Sequence, residues 1–281
     1  DRSIATVSFD TIATSPVGTR MLDRLVSDGF PSARPLSDLS EAALYRIAFE
    51  AAVEVSSEKW SARPGRSEPW ERRESAGVVD QLARAVPTCA AARWWSFAAT
   101  RRPQVWLGRA ADTPAEGVLA PHIAGKPRTE IWTSSAVEGL PSAWWPYLER
   151  GADGPMPGPR SIWRLTPGPD ARVFEIRTPA DWLFLCETFP GPVVDGWVVP
   201  GWDAAAEHFD AIHLTVEGLV RVQGVRIETT RGPAMLDNWD TESTAWLRWS
   251  IGAVERLGGI RDPTHRSEPS GRAPGRALRR S

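Results

Sequence analysis

The chain has 281 residues, with 33 Lys and Arg against 35 Asp and Glu and a formal net charge of −2. That balance argues against a protein whose whole surface is a nucleic-acid footprint. With 42% hydrophobic and 24% charged residues the chain is not too polar to bury a core, and at this length it needs neither disulfide nor metal to hold one.

Residues 15–100 read as mainly helical. Met21, Leu22, Leu25 and Val26 recur at helical spacing and stop at Asp28-Gly29. Ser40 is placed to cap a second helix with Leu44, Ile47, Ala48, Ala51 and Val55 on one face. The Pro-, Arg- and Glu-rich run 61–73 reads as a loop. A third helix holds Val78, Val79, Leu82 and Val86 and breaks at Pro87. Thr88 is expected to start another, carrying Cys89, Trp94, Trp95 and Phe97. After Pro103 the texture changes to short apolar runs between Pro and Gly turns. Val105–Leu107, Glu130–Thr133, Ile162–Leu165, Arg172–Ile176, Ala211–Val216 and Leu219–Ile227 are the expected strands. Gly151–Arg160 reads as a loop, Pro179–Glu187 and Trp202–His208 as short helices, and Ser243 or Thr244 to Leu257 as a final helix. The fold class is therefore α+β: a helical region, 1–102, packed on a mixed, mainly antiparallel β-rich half, 103–260.

From Arg261 the tail holds six Arg against two acids, a charge of +4, which leaves −6 for the remainder. Such a tail is expected to be disordered and able to meet an acidic partner or nucleic acid. Only Lys59 and Lys126 are Lys, so the Arg excess mostly reports GC-rich codons. No run approaches the roughly 18 apolar residues of a membrane helix. Cys89 and Cys186 lack C-x-x-C spacing and are expected as reduced thiols of a cytoplasmic protein.

His122, His208, His213 and His265 form no metal-ligand motif, and no metal site is expected. Phosphate-binding G-x-x-x-x-G-K-[ST] and G-x-G-x-x-G loops and the G-x-S-x-G elbow are also missing. Three runs remain. Val105-Trp106-Leu107-Gly108-Arg109 ends in an Arg, and Glu130-Ile131-Trp132-Thr133-Ser134-Ser135 ends in hydroxyls. Leu236-Asp237-Asn238-Trp239-Asp240-Thr241-Glu242 sets acids beside an apolar strand. This order resembles ADP-ribosyltransferases of the Arg–Ser–Glu class over about residues 103–250. The chain reads Thr-Ser-Ser where that class reads Ser-Thr-Ser, and Asp240-Thr241-Glu242 where it reads Glu-x-Glu or Gln-x-Glu.

The resemblance implies NAD as a substrate, with ADP-ribose passed to a protein, nucleic acid or small molecule. It implies Arg109 on the dinucleotide phosphates, Ser134 or Ser135 orienting the nicotinamide ribose and holding the acid, and Glu242 as the catalytic carboxylate. Trp132 or Trp239 would stack on a ring. Independently, Phe209–Gly218 alternates so that His213, Thr215 and Glu217 share one strand face, a candidate cleft lining in which Asp210 or Glu217 could replace Glu242. The other class of function is a non-catalytic accessory protein binding a partner through exposed Trp94-Trp95 and Trp144-Trp145.

Overall fold

The computed structural model describes residues 12–61, 76–109, 111–115, 126–127, 129, 131–150, 160–237, 239 and 241–260. The expected loops at 61–73 and 151–160 fall almost wholly outside these residues, and the Arg-rich tail does so entirely. The molecule is α+β, with its longer helices towards the N-terminus and its strands in the second half.

Helix α1 (Pro16–Ser27) begins where the Ser15 hydroxyl accepts the Gly18 N–H and ends before Gly29, whose φ of 88° suits a residue without a side chain. Its Met21, Leu22 and Leu25 are fully buried. Helix α2 (Glu41–Ser61) starts at Ser40, which accepts the Ala43 N–H, and buries Leu44, Tyr45, Ala48, Ala51 and Val55. Helix α3 (Ala76–Ala85) gives way at Pro87, inside a 3-10 turn. The expected helix from Thr88 is instead a series of short turns, with 3-10 pieces at Ala90–Ala92 and Ala99–Arg101. Burying both Trp94 and Trp95, which are adjacent in sequence, favours an irregular path over a helix, where neighbours point 100° apart.

The second half runs β1 (Gln104–Arg109), β2 (Trp132–Ser135), α4 (Trp145–Glu149), β3 (Arg160–Pro167), β4 (Val173–Ile176) and α5 (Pro179–Thr188). It continues with β5 (Pro190–Val194), β6 (Trp197–Pro200), α6 (Trp202–His208), β7 (Ala211–Leu214) and α7 (Val216–Val222). The last elements are β8 (Arg226–Thr229), β9 (Gly232–Met235), β10 (Ser243–Trp246) and β11 (Ile251–Ile260). A seven-stranded sheet has the order β11-β3-β1-β2-β10-β7-β4, and a smaller sheet the order β5-β6-β9-β8. Every pairing in the large sheet is antiparallel except β4 with β7. Those two strands need a long crossover, and α5, β5, β6 and α6 supply it.

Two expectations are corrected. Leu219–Ile227 is not one strand: α7 takes its first part and β8 its end. Thr215 caps α7 by accepting the Gly218 N–H, and Val216, Leu219, Val220 and Val222 are all buried, so packing overrides the β preference of its valines. The expected final helix is two strands, β10 and β11. Its apolar residues do fit a helical stripe, but Ser243–Trp246 is buried on both faces at the middle of the sheet, which a continuous strand satisfies.

One hydrophobic cluster joins α1, α2 and α3 to α5, α6, α7 and the sheet residues Ile212, Leu214 and Ala245. Helix α7 approaches β4 so closely that a Cβ on Gly218 would stand 2.1 Å from the Ile176 carbonyl oxygen. Gly218→Ala is therefore expected to destabilise the protein by about 1–3 kcal/mol through overpacking. Gly77→Ala, where a Cβ meets nothing within 4 Å, should be neutral or stabilise by about 0.5–1 kcal/mol. Urea denaturation of the two variants checks the contrast.

Candidate active site

A row of residues on the large sheet, on the face opposite Ile212, Leu214 and Ala245, is polar although it is buried. Register places Glu175 on β4 opposite His213 on β7, His213 opposite Thr244 on β10, and Thr244 opposite Thr133 on β2. Side chains that oppose each other across paired strands share a face. Glu242 immediately precedes β10, two residues from Thr244.

Ser135 grips Glu242 twice. Its N–H donates to Oε2 at 2.9 Å and its hydroxyl to Oε1 at 2.7 Å. His213 Nε2 lies 2.7 Å from Glu242 Oε1, and its Nδ1 bonds the Glu175 carboxylate. The Ala99 N–H donates to the other Glu175 oxygen at 3.0 Å. From the helical side, the Tyr45 hydroxyl accepts the Glu242 N–H at 3.3 Å. The row continues through Gln104, whose carbonyl accepts from Thr133 (2.7 Å) and Thr244 (2.9 Å), while its amide nitrogen donates to the Ser135 hydroxyl (3.3 Å) and the Ala99 carbonyl (3.2 Å). Trp246 Nε1–H donates to the Thr133 hydroxyl at 2.9 Å.

The imidazole of His213 is wholly enclosed. Burial works against its charge, but the carboxylate of Glu175, then its hydrogen bond and those of Glu242, outweigh burial and raise the pKa to about 10. At neutral pH the ring is an imidazolium donating from both nitrogens. Burial, with Glu242 adding to it, pushes the Tyr45 phenol well above its ordinary range, so it stays neutral. Two carboxyl groups flank this one imidazolium from opposite sides inside the protein. A carboxylate so held can stabilise a developing cation.

Among the sequence candidates, the structure unites Ser135, His213 and Glu242. Ser134 points to the opposite face, where its hydroxyl accepts the Trp144 N–H at 3.3 Å. Arg109 is four residues along β1 from Val105, the partner of Ser134, hence roughly 13 Å away at the usual strand rise. It is exposed at the far end of the strand, its N–H bonded to Asp112. Trp132 and Trp239 do meet, ring edge to face with centroids 5.3 Å apart. The expected strand face of His213, Thr215 and Glu217 is corrected: only His213 is on the strand, Thr215 caps α7, and Glu217 pairs with Arg221 one turn on. Asp210 is engaged by Arg248 at 2.8 Å and takes no part.

Sequence reasoning missed Glu175, Gln104 and the part played by Tyr45. Glu175 had a signal, as the lone acid inside Val173-Phe174-Glu175-Ile176; Tyr45 had none beyond its place on an apolar helix face. Among the described residues no group of three His, Cys, Asp or Glu could hold a metal ion, and no helix is long and apolar enough to cross a membrane. Cys89 and Cys186 are both free thiols.

No family model matches the chain, and neither curated proteins nor solved structures give a significant match.

Because the folded pKa of His213 exceeds the value of about 6.5 expected when unfolded, its contribution to stability is complete below that pH and lost as pH rises through about 10. Unfolding free energy is expected to fall over this window, and the fall should vanish in His213→Ala. That variant should itself lose about 3–5 kcal/mol at pH 7 by stranding buried carboxylates. Denaturation at pH 6, 8 and 10 measures both effects; a flat wild-type profile contradicts the shared imidazolium.

Proposed function

We propose that this chain is an NAD-dependent ADP-ribosyltransferase, which cleaves the nicotinamide–ribose bond and transfers ADP-ribose to an acceptor. The observation that carries the reading is the double hydrogen bond from Ser135 to Glu242. A hydroxyl at the end of a Thr-Ser-Ser strand holding a late Glu is the relation on which the family resemblance turns, and the residues lie 107 positions apart in the chain.

In this reading Glu242 bonds the nicotinamide ribose and offsets the oxocarbenium-like charge that develops as nicotinamide leaves. Ser135, rather than Ser134, orients it. His213 and Glu175 are positioning residues that keep the carboxylate aimed. Trp132, half-buried against Trp239, is the ring available for stacking. Arg109 is set aside as the phosphate contact. The cation at the Ser135 end of the sheet is Arg102, whose Nη1 donates to the Ala136 carbonyl at 2.7 Å and whose Nη2 bonds both Glu41 oxygens at 2.9 Å. Pyrophosphate would have to displace Glu41 from that nitrogen.

Glu242 is only 1% exposed, so the reading also requires the cover formed by α2 and the Trp94 turn to open for substrate. The acceptor is a protein, a nucleic acid or a small molecule. The unpaired cysteines fit a reducing, cytoplasmic compartment. The accessory-protein reading has less support. Trp94 and Trp95 are buried, Trp144 and Trp145 are half-buried, and among the described residues the exposed large apolar side chains are Phe184, Val193, Val254 and Leu257.

Calorimetry with NAD and a nicotinamide-release assay test the proposal. Wild type is expected to bind NAD and release nicotinamide, and Glu242→Gln to release it at least 100-fold more slowly while still melting cooperatively. Lack of NAD affinity in the wild type, or equal release by a folded Glu242→Gln variant, removes the reading.

A further inference from the structure

A cavity of about 430 Å³ opens between the end of α3, the turn around Trp95 and helix α7. It is separate from the buried row, and its lining carries four charged side chains: Arg84, Arg93, Arg221 and Glu217. Glu217 and Arg221 neutralise each other at 2.5 Å. Arg84 and Arg93 are exposed, and neither makes an ion pair or hydrogen bond with a described residue. Among the described residues the pocket therefore holds two uncompensated guanidiniums. Beside them stands the exposed Ser96, whose hydroxyl likewise bonds no described residue. The rest of the wall is apolar, including Ile12, Pro87 and the buried Trp95.

We propose that this cavity is a binding site for a small organic phosphomonoester. Two like charges facing one concavity repel until an anion joins them, and a guanidinium presents a planar fork suited to phosphate or carboxylate oxygens. A phosphomonoester carries about −1.5 to −2 charges near pH 7, which matches two free guanidiniums; a monocarboxylate leaves one of them unmatched. It also has three terminal oxygens, enough for both forks and the Ser96 hydroxyl. The apolar wall calls for an organic body on the phosphate, and the volume lies within the range of small-molecule sites, roughly 300–1,000 Å³. A nucleoside monophosphate and a sugar phosphate share this chemistry. NAD, whose two phosphates are joined as a pyrophosphate with no terminal monoester, does not present it, so the assignment is independent of the proposed transferase activity.

Calorimetry on the full chain with AMP, glucose 6-phosphate and inorganic phosphate decides the matter, using wild type, the double variant Arg84→Gln/Arg93→Gln, and Arg256→Gln as a distant cationic control. Wild type and the control are expected to bind at least one of the organic phosphates with a Kd below about 1 mM, a threshold for specific small-ligand binding. The double variant should bind it at least tenfold more weakly with an unchanged melting temperature. Binding of AMP alone assigns a nucleotide, and binding of glucose 6-phosphate alone a sugar phosphate. The proposal is overturned if neither organic phosphate binds, if inorganic phosphate binds as tightly as both, or if the double variant retains wild-type affinity.

Discussion

Two carboxylates share a single imidazolium in the interior of this protein, and neither would be tolerable there without it. An isolated buried carboxylate costs several kcal/mol, and removing one member of such a set typically costs 3–5 kcal/mol because the remainder is stranded. Glu175 and Glu242 meet His213 from opposite sides, so their positions are coupled. Strand β4 runs parallel to β7 and sets Glu175 opposite His213, while β10 runs antiparallel to β7 and Glu242, just ahead of it, reaches the other ring nitrogen. The long crossover through α5, β5, β6 and α6 follows from the parallel pairing.

The helical region serves the same arrangement. Tyr45 of α2 takes the Glu242 N–H, and Ala99, in the turns after α3, supplies an N–H to Glu175. Further polar ties run between the halves. Gln223, just past α7, donates to the Ser56 hydroxyl at 3.1 Å, and Ser15 at the head of α1 donates to the Val220 carbonyl. Within the helical region Arg102 lies 4.5 Å from the Trp94 ring, a cation–π contact. Because buried hydrogen bonds are far costlier to leave unmade than they are stabilising when made, these ties fix how the helices sit on the sheet more than how strongly they stay there.

Much of this could be read from the chain because the signals were local. Ser15 and Ser40 announce α1 and α2 by capping, Pro87 ends α3, and Trp202–His208 has helical bounds in sequence and structure alike. Ser135 and Glu242 were legible because hydroxyls and acids cluster beside short apolar runs. What failed depended on partners distant in sequence. Ser134 and Ser135 differ only in which face they present, and a one-residue choice of strand phase is not written in a four-residue strand. Arg109 looked like a site residue because its strand is real; only the pairing of β1 with β2 puts it at the wrong end. Strand β10 was hidden because a strand buried on both faces lacks alternation, and the spacing of Trp246 and Trp249 mimics a helix; β11 is a mostly exposed edge strand, so it carries no buried face to read.

Strand β10 has a position whose consequence concerns biosynthesis. It lies between β2 and β7, which touch no other strand in common, so without it the large sheet is two separate ribbons, β11-β3-β1-β2 and β7-β4. The residue that leads into β10 is Glu242. A nascent chain still lacking residues 242–246 can pair Glu175 with His213, but it has neither a joined sheet nor the carboxylate that Ser135 grips. Because these contacts span so much sequence, their formation is slow and late. Seating the bridging strand and delivering the buried acid are thus a single molecular event, and a truncated or half-synthesised copy of this protein holds neither the joined sheet nor the grip of Ser135 on Glu242.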